Sequence, residues 1–258
     1  GPAVAELGVG GGARPPRCSI NRPTGRGRVL AVARADLGAL RAAAHAQGGT
    51  VNDVVVTAVA GALGTVLADR GETVERLVVS VPVSARRHAT TELGNQVGVI
   101  PVQVPTVGDP FRRLAAVARI TRQRKTIAPG SSAALIAALF RTLAKVGVYE
   151  WFVNRQSMVN TFVSNLHGPE HRLSFLGAPV IDVIPVSGIS GNITVAFVAL
   201  SYAGTLNITA IADPDRCPDL EVLTEKLRKE LHVLANTVSP GQTGAQQGQA
   251  VSFPGHSA

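Results

Sequence analysis

Aromatic residues are scarce in this chain: 4% of its 258 positions, with one Trp and two Tyr. The apolar volume of any core must therefore come from Val, Leu, Ile and Ala. Nothing offers the interleaved rings on which nucleic-acid bases stack. Cysteine is almost absent too. Cys18 and Cys217 stand far apart with no metal-ligand spacing around either, which points to a reduced, cytosolic setting. No methionine precedes Gly1, and Met158 is the only one present, so the chain reads as a processed product or a fragment. The first 27 residues hold no apolar h-region, so no signal peptide is expected.

Familiar catalytic patterns are missing as well. Gly8 to Ala13 formally matches a dinucleotide fingerprint, but it follows no strand and opens no helix. No Gly-x-Ser-x-Gly nucleophile elbow occurs. His167 and His171 are separated by a Gly-Pro that excludes the helix needed to aim both at one metal. His45 and His232 fall on helical stretches, and His88 lies in a polar loop beside Arg86 and Arg87. Motifs alone identify no general base and no metal site.

What is present begins with "TVNDVVVTAVAGALGTVLAD", Thr50 to Asp69. The uncharged run from Val54 to Leu67 is shorter than the roughly 20 apolar residues of a bilayer span, so a buried core helix is expected. Thr50 and Asp53 have capping-box spacing, and Asp53 sits where the helix dipole favours a carboxylate. Capping leaves Asn52 unexplained. A buried Asn without a partner costs roughly 1–3 kcal/mol, so a definite partner is expected for it.

The formal charge of +8 raises nucleic acid as a partner. Part of it lies in the Gly/Pro/Arg leader. The rest clusters in "DPFRRLAAVARITRQRK", where Asp109 can cap a helix whose Phe111, Leu114, Val117 and Ile120 form the buried stripe. Arg112, Arg113, Arg119, Arg122, Arg124 and Lys125 are left for the solvent side. A solvated face, anionic lipid headgroups or a cofactor's phosphates all suit them.

Elsewhere, "RVLAVARADL" reads as a strand leading into an Asp36-capped helix. Arg76 to Ala85 and Val97 to Pro105 read as strands, and Pro101 argues for an edge or a bulge in the second. A helical block, "SSAALIAALFRTLAKVGVYEWF", precedes a β-rich half. There "NITVAFVALSYAG" and "TLNITAIADP" form a hairpin turning at Ala203–Gly204. Leu220, Leu223, Leu227, Leu231 and Leu234 share one face of a last helix. The sum is a layered α/β (α+β) domain with helices on a mixed sheet. Its expected limits are a flexible leader over 1–27, a folded region over 28–236 and a disordered tail over 237–258.

"TVNDVVVTAVAGAL", "VPVSARR", "LGNQVGVIPVQVP", "DPFRRL", "SNLHGP" and "SYAGTLNITAIADPDRCPDL" occur in one order. Together they resemble the C-terminal half of the bacterial wax ester synthase/diacylglycerol acyltransferase family, within the CoA-dependent acyltransferase superfamily. The resemblance implies a chloramphenicol-acetyltransferase-like lobe, one of two that enclose a tunnel. It implies acyl transfer from acyl-CoA, as co-substrate with no bound cofactor, to diacylglycerol or a long-chain alcohol. The general base is the second histidine of a His-His-x-x-x-Asp-Gly motif in the N-terminal lobe. This chain has no such motif, so it is expected to be inactive alone and to partner an N-terminal lobe.

Residue by residue, Asn52 and Asp53 match the family's Asn-Asp pair, and Gly94 and Asn95 its Gly-Asn pair, as site-shaping positions. Ser164, Asn165, Gly168 and Pro169 match a motif that usually ends Pro-Gly-Pro; His167 replaces the first proline. Ser164, Asn165, Gly168, Pro169 and, at a strand end, Ser201 are candidates for the oxyanion or tunnel wall, and Tyr202 beside them suits either cleft or packing. Arg112, Arg119, Arg122 and Lys125 are candidates for membrane or phosphate contact. The implied setting is the bacterial cytoplasm, peripheral at the inner membrane or lipid droplets, without nucleic acid. The alternative is a non-catalytic lipid-binding or scaffolding lobe.

Overall fold

The structure, a computed structural model, describes residues 14–84, 97–127, 145 and 147–236. In chain order its elements are β1 (Val29–Asp36), α1 (Leu37–Ala46), α2 (Val51–Asp69), β2 (Arg76–Ser84), β3 (Val97–Pro105), α3 (Pro110–Ile127) and α4 (Tyr149–Val153). They continue with β4 (Thr161–His167), β5 (Ser174–Phe175), β6 (Ala178–Pro179), β7 (Val195–Tyr202), β8 (Thr205–Ala212) and α5 (Leu220–Ala235). Six strands form one mixed sheet in the order β1-β8-β7-β4-β2-β3. β7, β4 and β2 run parallel, and the remaining pairs are antiparallel. β3 is an edge strand, which is where Pro101 can sit without breaking a ladder.

Alternation along the strands divides the sheet into two faces. Ala33, Leu77, Val79, Val104, Val163, Phe197 and Ile208 join the main core with α1, α2, α3 and α5. A small second cluster, Ile189, Ala196, Val198 and Ile211, lies on the opposite face. The hairpin between β7 and β8 turns through Ala203 (φ 46) and Gly204 (φ 87), a primed turn that matches strand twist. Asp36 caps α1, its Oδ1 accepting from the Ala39 N–H at 2.7 Å. The five leucines of α5 are all buried.

α2 is buried almost all round, from Asp53 to Leu67. At 19 residues and a mean hydropathy of 1.7 it is long and apolar enough to cross a membrane, so length alone does not decide against a span. Its burial within the domain does. Gly64 lets the chain after β3 approach: a Cβ there would stand 2.5 Å from Thr106 Cβ.

Three expectations are corrected. The leader is anchored at points between residues 16 and 25 rather than free throughout: Ile20 is 1% exposed, Thr194 donates to its carbonyl, and Gly25 N–H donates to Asp213 at 2.6 Å. The leader's composition offers little to bury, but its backbone groups are satisfied by distant side chains. Arg113 is not on the solvent side of α3. It is 5% exposed and paired with Glu230 of α5, whose carboxyl burial pushes up and Arg113 only partly pulls back. Finally, the expected β-rich half is broken: residues 172–187 form only the short β5–β6 hairpin, and residues 180–190 run on without strand, turn or bend. Gly94, Asn95, His88, most of the second helical block, residues 1–13, the tail from 237 and the side chains of Arg124 and Lys125 lie outside the described residues.

Candidate functional site

The polar pair at the head of α2 is divided between two tasks. Asp53 turns inward. Its Oδ2 accepts from the Thr50 N–H and hydroxyl, both at 2.8 Å, and its Oδ1 accepts from Thr121 of α3 at 2.7 Å. The Thr50 hydroxyl in turn accepts from the Asp53 N–H, completing the capping box. Asp53 therefore fixes the helix start against α3.

Asn52 turns the other way, into a cleft of about 300 Å³. One wall is the stripe Leu37, Arg41 and His45 of α1, and the floor is Thr50, Val51 and Asn52. The other wall is Asn165 and His167 from β4 with Ser201 from β7. The expected partner of Asn52 is not there: among the described residues its side chain makes no hydrogen bond. It is only half-buried, so water or a ligand can satisfy its amide, and the penalty of a sealed unpaired group does not arise.

The opposite wall follows from parallel pairing, which sets Asn165 beside Ala199 and His167 beside Ser201. Just beyond, Gly168 N–H donates to the Ser201 carbonyl at 2.9 Å, and Ala203 N–H donates to the Pro169 carbonyl at 3.1 Å. A Cβ on Gly168 would collide with the Ser201 carbonyl oxygen, so glycine is required by close approach. Gly168 and Pro169 thus sew β4 to the β7–β8 turn without lining the cleft. Ser164 belongs to the other face of the sheet by alternation and is not among the cleft residues. Tyr202 is buried and packs: its hydroxyl accepts from Leu173 N–H at 2.9 Å and donates to the Val180 carbonyl at 2.8 Å.

The structure thus brings Asn52, Asn165 and Ser201 together and leaves Asp53, Ser164, Gly168 and Pro169 outside the cleft. It adds His45 and His167, which carry no motif in the sequence, and Arg41, which the sequence does not single out. The signal was present in part: Leu37, Arg41 and His45 repeat every four residues along one side of α1. The cleft's charge bias is positive. The dipole end of α2 and Arg41 face it, and Arg41 has only a loose, exposed partner in Glu170 at 3.7 Å. Amide donors and a positive helix end suit an oxygen that gains negative charge.

On α3, Asp109 Oδ1 accepts from the Phe111 and Arg112 N–H groups, the expected cap. Arg112, Arg119 and Arg122 are exposed, and Arg122 donates to the Gly48 carbonyl, just ahead of the α2 cap. Cys18 and Cys217 are free thiols, both pushed up to about 11 by burial. Among the described residues no cluster of His, Cys, Asp or Glu is arranged to hold a metal.

Comparison with known proteins adds the rest. The family model "WS/DGAT C-terminal domain" matches residues 93–235. The model "Wax ester synthase/diacylglycerol acyltransferase catalytic domain" matches residues 3–55. The cleft takes residues from both matched regions. A putative diacylglycerol O-acyltransferase of Mycobacterium tuberculosis is 31% identical over 236 residues, covering 87% of this chain and 47% of the relative. The O-acyltransferase WSD of Acinetobacter baylyi is 22% identical over 227 residues, covering 86% of this chain and 50% of the relative. The chain spans about half the length of the curated relatives it matches. Among solved structures, the wax ester synthase/diacylglycerol acyltransferase of Marinobacter aquaeolei superposes with a TM-score of 0.70 at 24% identity, over 90% of this chain and 54% of the other. The first condensation domain of the calcium-dependent antibiotic synthetase shares the fold, with a TM-score of 0.58 at 18% identity over 91% of this chain and 50% of the other.

Proposed function

Because this chain belongs to the wax ester synthase/diacylglycerol acyltransferase family, we propose that it supplies one wall of the acyl-transfer site in a two-lobe acyl-CoA-dependent O-acyltransferase. The products are triacylglycerol or wax esters, from diacylglycerol or a long-chain alcohol. The observation that carries this reading is the convergence of Asn52, Asn165 and Ser201 on one cleft, with the Asn52 amide uncommitted among the described residues.

In this scheme a histidine of the N-terminal lobe takes the acceptor's hydroxyl proton as its oxygen attacks the thioester carbonyl. The carbonyl oxygen becomes an oxyanion facing the Asn52 and Asn165 amides and the first turn of α2. Collapse forms the ester and breaks the carbon–sulfur bond, and the protonated histidine returns its proton to the departing CoA thiolate. Acyl-CoA is a co-substrate, and no covalent acyl-enzyme is required. The exposed arginines of α3, close to the cleft through Arg122 and Gly48, are the proposed contact with an anionic inner-membrane or lipid-droplet surface in the bacterial cytoplasm.

The test is to assay the chain with acyl-CoA and diacylglycerol or a long-chain alcohol, alone and with the N-terminal lobe added. Ester formation is expected only with both, since an unassisted hydroxyl is a poor nucleophile near neutral pH. Robust turnover by the chain alone, abolished by His167→Ala or His45→Ala, would place the base in this half instead. A folded complex with no turnover on either acceptor would leave the lipid-binding reading.

A further inference from the structure

The cleft has a floor and a rim. Asn52, Asn165 and Ser201 are half-buried, whereas Arg41, His45 and His167 are exposed at its edge. Acyl transfer engages the floor and leaves the rim without a task. The rim is assembled from two elements remote in the chain. Arg41 and His45 stand one turn apart on α1, so their side chains lie over the same side of the helix. His167 ends β4 on the opposite wall, at the position where the resembling motif usually has proline.

The chemistry of the rim is one-sided. A guanidinium brings five N–H donors, and each imidazole at least one in either tautomer. No Asp or Glu is among the described residues lining the cleft. Glu170 meets Arg41 only at 3.7 Å, with the two side chains 84% and 50% exposed, so water already competes for that pair. It is readily exchanged for a better acceptor. Donors converging from two walls with no carboxylate between them fit an anion with several oxygens. A planar guanidinium fits a phosphate in two-point geometry.

We infer that Arg41, His45 and His167 bind a phosphate carried by the acyl acceptor, so that the cleft takes a monoacylglycerol phosphate as well as neutral acceptors. The inference rests on the reading of the chain as one lobe of a two-lobe acyltransferase. In such a lipid the free hydroxyl lies within a few bonds of the phosphate, as the floor lies beside the rim. CoA is the other source of phosphate. Its phosphates are held from the thioester by the whole pantetheine arm, and a cleft of about 300 Å³ that seats the reacting carbonyl at Asn52 does not hold them too. A diacylglycerol or simple alcohol fits the floor but leaves the donors of the rim to water. The reaction itself is unaltered. The glycerol hydroxyl oxygen bonds to the acyl carbon and the carbon–sulfur bond breaks. The hydroxyl proton passes through the histidine of the N-terminal lobe to the CoA thiolate, and the phosphate stays intact.

Equilibrium dialysis tests the assignment, comparing monooleoylglycerol phosphate with monooleoylglycerol on this chain. The phosphate-bearing lipid should bind at least about tenfold more tightly. Arg41→Gln with His167→Ala should erase that preference, Arg41→Lys should keep part of it, and Glu170→Gln should increase it by freeing Arg41. All three positions are exposed, so the variants are expected to fold. Equal affinity for the two lipids overturns the inference, as does a preference that survives the double variant. A second arm compares oleoyl-CoA with S-oleoylpantetheine. A preference for the CoA thioester that the double variant erases assigns the rim to the phosphates of CoA and overturns the inference too. Turnover is read separately, in the intact polypeptide that joins this chain to its N-terminal lobe. There the ratio of kcat/KM for monooleoylglycerol phosphate over dioleoylglycerol should fall at least about tenfold in the double variant. Rim-dependent binding without turnover on any acceptor removes the proposed reaction and leaves the phosphate site. Turnover on dioleoylglycerol with a ratio that the variant does not change does the reverse.

Discussion

From Val54 to Leu67 every side chain of α2 but Thr65 is buried, whereas one turn earlier Val51 and Asn52 are half-open and Thr50 is exposed. The body of the helix is saturated. Valines and leucines meet the sheet and the other helices, and the Thr57 hydroxyl donates back to the Asp53 carbonyl at 2.7 Å, so no polar group there needs an outside partner. The first turn is unsaturated, with Asn52 lacking any partner among the described residues. One helix thus carries the stability of the domain along its length and the chemistry of the cleft at its head. Asp53 is the boundary between the two.

That division is broken or sharpened by substitutions along the helix. The largest effect is expected in the body. Leu63 is fully buried in the main core, and Leu63→Ala removes its transfer energy and leaves a cavity. A loss of about 2–5 kcal/mol is expected from denaturant unfolding. A loss below about 1 kcal/mol would mean that the core collapses around the gap and that the body is not saturated.

At the boundary, Asp53→Ala removes the carboxylate half of the capping box, which accepts from the Thr50 N–H, and the acceptor of Thr121. The expected cost is about 1–2 kcal/mol by the same unfolding measurement. Amide exchange should quicken at the α2 start and at Thr121 while β7 and β8 are unmoved. Unchanged stability would show that the carboxylate serves the cleft rather than the helix.

The parts of this arrangement that were legible in the sequence are local. The capping box is a three-residue spacing, the Ala203–Gly204 turn a two-residue loop, and the α5 leucines a repeat along one helix. Pro101 narrowed β3 to an edge or a bulge, and the sheet order makes it an edge. What was illegible depends on partners remote in the chain. Arg113 lies in a run of cations that looks solvated, and only the packing of α5 brings Glu230 to it from 117 positions away. Ile20 sits in a stretch that offers little to bury, yet Thr194 satisfies its carbonyl from the far half of the chain. The cleft is illegible for the same reason. Parallel pairing sets His167 beside Ser201, and α1 then faces both across the head of α2. Resemblance pointed to Asn52 as a site position; the capping-box spacing already tied Asp53 to the helix start, and the fold adds the bond it accepts from Thr121.

The smallest effect on stability, and the sharpest contrast, is expected at Asn52. Its side chain has no hydrogen bond to lose, and its half-exposed position leaves no sealed group behind. Asn52→Ala should therefore shift unfolding by no more than about 0.5 kcal/mol. On the proposed reading, the same change in the two-lobe protein removes an amide that would face the reacting carbonyl. Loss of one such donor typically costs about 10²–10³-fold in rate, so kcat should fall by that order while KM for acyl-CoA changes little. Asn52→Asp separates placement from charge. It keeps the size but replaces donors with a carboxylate facing the developing oxyanion, so turnover should fall at least as far as with alanine. A folded Asn52→Ala protein with full turnover would show that the first turn of α2 is open for some reason other than catalysis, and the division along the helix would lose its functional half.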